Sequence, residues 1–303
     1  VRAGPARLLI AGVGRSGTTW VGRTLGRSPG WSYVHEPDNH HLLPVAALAK
    51  QGLGNYPLLA PGDRAPRFEA LWRLAWSGWW GTRLGSRAVE RVPRLAVGPG
   101  LALRALGRVP PRWNAPGVAV KTVYSTLCLE WLAGQRSARV LVVRRSVPGI
   151  ASSWQKMNWG AAWLSTRPEV VARHARRLDV PVPRKGANRY EHAVWDICLL
   201  AALQEEACGR HPDWEVVDFE WLCGDPVGRY TTLLERLGMA MVPEVAAELG
   251  ADDRQGEGYD LRRVAAEQPE SWRHRLSPAE IETCLVAVRQ FRLGDWALGT
   301  STP

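Results

Sequence analysis

Short apolar runs alternate along this chain with stretches in which apolar residues recur every three or four positions. Leu8-Leu9-Ile10-Ala11 is one such run. It passes through a glycine-bearing loop into Val21-Gly22-Arg23-Thr24-Leu25, which reads as the opening of a helix. Trp31 to His35, Gly117 to Thr122, Arg139 to Arg145 and Trp214 to Phe219 read as further strands. Brief apolar runs bounded by polar turns suit strands buried on both faces. The pattern predicts strand, loop, helix, strand over 7–36, then strand, helix, strand, helix over 117–160, and helix, strand, helix over 190–240. Such alternation implies an α/β fold, a three-layer parallel sheet flanked by helices. Ligands of such sheets collect at the carboxyl edge of the strands. The glycine loop, Glu36, Lys121 and Arg145 each end or follow a predicted strand, so one edge can gather all four.

Two segments break the alternation. Residues 42–116 carry Trp72, Trp76, Trp79, Trp80 and Trp113 among many arginines. The first of these tryptophans have helical spacing, so they line one helix face. A Trp-rich helical insertion packed into the core is the plainer reading. A cap over an acceptor is the sharper one, because aromatic faces pack on sugar rings and basic-aromatic helices lie on membrane interfaces. Gly98, Gly100, Pro110 and Pro111 suggest a looped end. Residues 156–190, with Arg173, Arg176, Arg177, Arg184, Lys185 and Arg189, read as a solvated basic helix and loop or as a lid. Ser277 and Glu280 have the spacing of a capping box at a late helix start. The whole chain, 1–303, is expected to form a single domain.

Charge narrows the partners. The net charge is +10, and lysine occurs only at 50, 121, 156 and 185. Excess positive charge suits a polyanionic cofactor, an acidic acceptor or a membrane surface. No nucleic-acid-binding motif accompanies it, so no specific nucleic-acid partner is expected. Cys128, Cys198, Cys208, Cys223 and Cys284 are scattered and odd in number, which predicts reduced thiols in a cytoplasmic protein and no metal site. His40-His41 reads as part of a polar loop. No apolar stretch approaches the ~20 residues of a membrane span, and no leader pattern is evident before the glycine loop.

The chemistry concentrates in Gly12 to Trp20, GVGRSGTTW. A strand that runs through a glycine loop into a helix N-terminus directs backbone N–H groups and the helix dipole at one point, an anion cradle. Gly14 and Gly17 allow close backbone approach. Ser16, Thr18 and Thr19 add hydroxyls, and Arg15 adds charge. The GxxxxGK[ST] pattern of nucleoside triphosphatases is missing, since Thr18 stands where lysine would follow Gly17.

This loop resembles the 5′-phosphosulfate loop of sulfotransferases that use 3′-phosphoadenylyl sulfate (PAPS). Further segments resemble that family in the same order. Arg145 with Ser153, eight residues on and followed by Trp154, resembles its 3′-phosphate pair, although Arg144 with Ser152 keeps the same separation. The usual Asp-Pro or Asn-Pro after the arginine is replaced by Ser146-Val147. Trp31 to Pro37 resembles the second strand of carbohydrate-type and bacterial members, in which a Glu-Pro follows. Gly117 to Thr122 resembles the strand that ends in lysine. The histidine that the cytosolic branch places two residues later is Val123 here. Trp214 to Glu220, Gly224-Asp225-Pro226 and Leu234 to Gly238 resemble the late strand and helix.

The resemblance implies a P-loop-like sulfotransferase fold and transfer of a sulfuryl group from PAPS to a hydroxyl, less readily an amine, without metal. The products are 3′-phosphoadenosine 5′-phosphate (PAP) and a sulfated carbohydrate, glycolipid or natural product. It assigns Glu36 as general base and Lys121 to the leaving oxygen. Gly14 to Thr19, Arg145, Ser153 and Arg273 would bind the cofactor. Glu36, His35, Trp76 and Trp159 would meet the acceptor. The alternatives are a nucleotide-dependent small-molecule kinase on the same sheet and a non-enzymatic module for a membrane or glycan. Peripheral membrane contact is compatible with the basic, Trp-rich composition; oligomeric state is not legible.

Overall fold

The computed structural model describes residues 6–80, 117–159, 161–251 and 267–299. Trp113 and the glycines and prolines expected to end the insertion lie outside the described residues. Five described strands form one sheet: β1 (Ala6–Ala11), β2 (Trp31–His35), β3 (Gly117–Thr122), β4 (Arg139–Arg144) and β5 (Glu215–Asp218). Their order is β2-β3-β1-β4-β5, and every pairing is parallel. All five carboxyl ends therefore share one edge. The chain builds β2 and β3 on one side of β1 and then crosses to β4 on the other. That reversal opens a crevice beyond the ends of β1 and β4, the usual ligand position in an open α/β sheet.

Described helices of six residues or more are α1 (Thr18–Leu25), α2 (Pro44–Ala49), α3 (Pro66–Trp76), α4 (Leu129–Gly134), α5 (Val147–Lys156), α6 (Arg189–Arg210), α7 (Phe219–Gly224), α8 (Pro226–Arg236), α9 (Pro243–Ala251) and α10 (Pro278–Gln290). Successive strand residues face opposite sides of a sheet. Leu9, Ala11, Val118, Val120, Val140 and Val142 accordingly pack into one layer with α3 and α4. Leu8, Ile10, Ala119, Leu141 and Val143 pack into the other with α1, α8 and α9. A third cluster joins α5, α6 and α10.

Trp72 and Trp76 belong to the first layer. They are 1% and 2% exposed, with ring centroids 6.1 Å apart. On α3 the helical tryptophan stripe is thus core packing, and Trp76, expected at the acceptor, is buried under the sheet instead. The stripe's spacing revealed its face but not what that face meets.

Capping decides several helix starts. The Ser277–Glu280 capping box forms at α10, and Asn188 with Glu191 makes another at α6. Asp225 caps α8 by accepting the Gly228 N–H. At α1 the N-cap is Gly17 and no side chain caps the first turn. Its N–H groups therefore remain available at the crevice. No described helix is long and apolar enough to cross a membrane.

Candidate active site

The loop between β1 and α1 is a compact turn. Ser16 N–H donates to the Val13 carbonyl at 2.9 Å. Arg15 and Gly17 both take left-handed backbone, at φ 74° and 94°. For arginine that conformation is uncommon and is maintained by surrounding contacts. Two glycines are required by space as well as by torsion. A Cβ on Gly12 would collide with Ser16, Thr18 and the Val143 carbonyl, and one on Gly17 would enter the Phe219 ring. Gly17→Ala is expected to lower stability by about 1–3 kcal/mol from overpacking alone, read as a lower urea midpoint at unchanged slope.

The end of β4 locks onto this loop. Arg145 Nη1 donates to the Arg15 carbonyl at 3.0 Å, and Arg15 Nε donates to Ser153 Oγ at 2.9 Å. Trp154 Nε1 donates to the Gly14 carbonyl at 2.8 Å. Arg145 lies over the Phe219 ring, 4.4 Å from its centroid. It is buried, and its Nε has no protein partner. Burial lowers its pKa against the opposing charge of nearby Glu220, whose carboxyl is itself pushed up by burial. Ser16 Oγ and Ser152 Oγ are likewise buried without protein partners. Arg145 is thus a buried cation beside the glycine loop with one N–H unpaired, a donor that an anion would complete. Arg144 is committed elsewhere. It makes a two-point contact with Asp218, at 2.7 and 3.1 Å, and lies over Trp296. Of the two arginine–serine registers, the one on this loop is Arg145 with Ser153.

Across β1, Glu36 and Lys121 form a buried ion pair. Glu36 follows β2 with φ 41°, a left-handed torsion rarely taken by a non-glycine residue. Its N–H donates to the Lys121 carbonyl at 2.9 Å, and its Oε2 accepts Asn39 Nδ2 at 2.6 Å. Burial opposes ionisation of Glu36. The charge of Lys121 and hydrogen bonds from Lys121 and Asn39 outweigh it and hold the carboxyl below its usual range. Burial also lowers the Lys121 pKa, against the attraction of Glu36. Asp38, fully buried, accepts Thr122 Oγ1 at 2.6 Å and Ser125 Oγ at 2.5 Å, and this pins the turn after Glu36 to the end of β3. His35 Nδ1 is 2.9 Å from the Tyr33 hydroxyl. Burial, then the Lys121 charge, lowers the His35 pKa.

Both halves open on one cleft of about 1130 Å³. Gly14, Arg15, Gly17, Thr18 and Thr19 line it together with His35, Glu36, Lys121, Arg145 and Trp159. Ser16 turns back over Gly12, and Ser153 meets the site through Arg15. Arg273 is apart from it, paired with Glu270 and stacked on Trp272. Asp38 and Asn39 complete the site but escape a reading of the sequence by strand ends. Phe219 was legible in one respect, since it directly follows β5 at the same edge. Among the described residues no group of three His, Cys, Asp or Glu side chains could hold a metal. All five cysteines are free thiols.

No family model and no curated sequence matches the chain. Solved structures do. The sulfotransferase domain from the curacin biosynthetic pathway superposes with a TM-score of 0.50 at 13% identity, over 96% of this chain and 98% of that one. The sulfotransferase domain from the Synechococcus PCC 7002 olefin synthase gives 0.50 at 14% identity, over 97% of each chain. The chain therefore has the sulfotransferase fold, a five-stranded parallel sheet with flanking helices.

Proposed function

We propose that the protein is a PAPS-dependent sulfotransferase that sulfates a hydroxyl of a carbohydrate, glycolipid or natural product. The observation that carries this reading is one cleft lined by the glycine loop at the uncapped α1 N-terminus and by buried Arg145 together with the Glu36–Lys121 pair. An anion-binding loop alone fits many nucleotide enzymes. A buried arginine beside it, Arg145, fits a nucleotide with two separate phosphate positions, and a carboxylate–lysine pair fits transfer to a hydroxyl.

In this reading the loop and the α1 N-terminus hold the phosphosulfate, and Arg145 with Ser153 holds the 3′-phosphate. The acceptor oxygen attacks sulfur in line. The bond between sulfur and the bridging phosphate oxygen breaks, PAP leaves, and the acceptor proton passes to Glu36. Positioning and fixed charges supply most of the acceleration. Lys121 links the two ends of the reaction. While it pairs with Glu36, the carboxylate is a weak base. As charge grows on the leaving oxygen, Lys121 is drawn toward that oxygen, and Glu36 regains basicity when the acceptor proton must move. Stabilisation of the protein by PAP but not by 5′-AMP tests the donor assignment.

A further inference from the structure

Ala161, Ala162 and Trp163 line the cleft, and the segment 161–166 that carries them is held by two residues of α6. Asp196 is fully buried, and its Oδ1 accepts the Leu164 N–H at 3.0 Å. The backbone N–H groups of Ala162, Trp163 and Ser165 also stabilise its anion, while burial pushes the carboxyl up to about 7. One turn earlier, His192 Nδ1 lies 2.8 Å from Ser165 Oγ, and the His192 ring packs 4.7 Å from that of Trp163. Arg167 ties the far end of the segment to the Tyr56 carbonyl at 2.9 Å.

The result is an unusual residue. Trp163 has φ 56°, a left-handed torsion that is an outlier for a bulky side chain. It is also 44% exposed and lines the cleft. Strain of this kind costs about 1–3 kcal/mol and persists only where neighbours enforce it. Exposure of an indole gives up further burial energy. Packing therefore does not account for Trp163, whereas the clasp from Asp196 and His192 has the effect of presenting it to the cleft. Tyr56 and Tyr124, with rings 5.6 Å apart, also line this cleft, and Glu36 is its sole acidic lining residue among those described. This part of the cleft is an aromatic wall.

We infer that Trp163 is a specificity-determining residue, a stacking face for a ring carried by the acceptor, and that Asp196 and His192 are its positioning residues. This deepens the sulfotransferase reading and rests on it. Offset stacking on an indole adds to plain area burial, so the site favours ring-bearing alcohols over open-chain ones.

Calorimetry of the PAP-saturated protein with 2-naphthol and with 1-octanol tests this. Wild type is expected to bind 2-naphthol more tightly than 1-octanol. Trp163→Ala is expected to weaken 2-naphthol about tenfold, and Trp163→Phe to restore it to within about threefold, since each tenfold corresponds to 1.4 kcal/mol. Asp196→Ala is expected to reproduce the defect, with stabilisation by PAP unchanged in all variants. Equal 2-naphthol affinity in wild type and Trp163→Ala, or tighter binding of 1-octanol by wild type, would overturn the assignment. If PAP does not bind at all, the donor reading fails instead, and the same titrations without PAP still decide the role of Trp163.

Discussion

Glu36→Gln is expected to reduce turnover by about 10²–10⁴-fold, the usual contribution of a positioned general base, while PAP affinity stays within about threefold. Glutamine keeps the size of Glu36, and its single carbonyl oxygen can still accept from Asn39 or from Lys121, though not from both. What is lost is the proton acceptor. The pH profile gives the sign. The Glu36 pKa is lowered from 4.5 in the folded protein. The stability contributed by its pairing is therefore present above the ordinary value and is lost as pH falls through the lowered one. Lys121→Met removes the chief opposing charge and leaves burial to push the carboxyl up, so the acid limb of kcat/KM should move to higher pH. Normal turnover in Glu36→Gln would remove the residue as base, and an unmoved acid limb in Lys121→Met would dissolve the coupling between the pair.

Arg145→Ala should weaken PAP by about 10- to 150-fold, the equivalent of one lost charge-assisted interaction of 1.5–3 kcal/mol. Its effect on 5′-AMP should be several-fold smaller. Comparison of two nucleotides in one variant matters because Arg145 also braces the loop through the Arg15 carbonyl and offsets buried Glu220. General damage to the loop would weaken both ligands alike. Loss confined to the 3′-phosphorylated nucleotide identifies Arg145 with the 3′-phosphate. Arg144→Ala supplies the control, since its contacts with Asp218 and Trp296 lie outside that role.

The sheet was legible because its strands carry continuous apolar runs. Leu8 to Ala11 and Val140 to Val143 are short runs buried on both faces and bounded by polar turns. The edge residues followed from the same logic: Glu36, Lys121 and Arg145 end strands, and a parallel sheet brings strand ends together. Buried polar supports were not legible. Asp38 works with Thr122 and Ser125, and Asp196 with backbone amides near 164, and a single acid in a loop or long helix carries no periodic signal of such partners. Tryptophan was the least informative residue despite its frequency. Trp76 and Trp159 look alike in sequence, yet one packs under the sheet and the other lines the cleft beside Gly14. Helical spacing tells which residues share a face, and only the tertiary fold tells what that face meets.

The central claim is that this cleft holds a 3′-phosphorylated adenine nucleotide. Thermal unfolding in the presence of PAP, 5′-AMP or ATP with Mg²⁺ tests it most directly. A ligand that binds only the folded state raises its stability by about 2.7 kcal/mol at a hundred times its Kd. The expected result is a clear rise in the midpoint with PAP, little with 5′-AMP and none that requires Mg²⁺. A rise only with ATP and Mg²⁺ would contradict the account, point to phosphoryl transfer, and leave Arg145 and Ser153 without their assigned ligand.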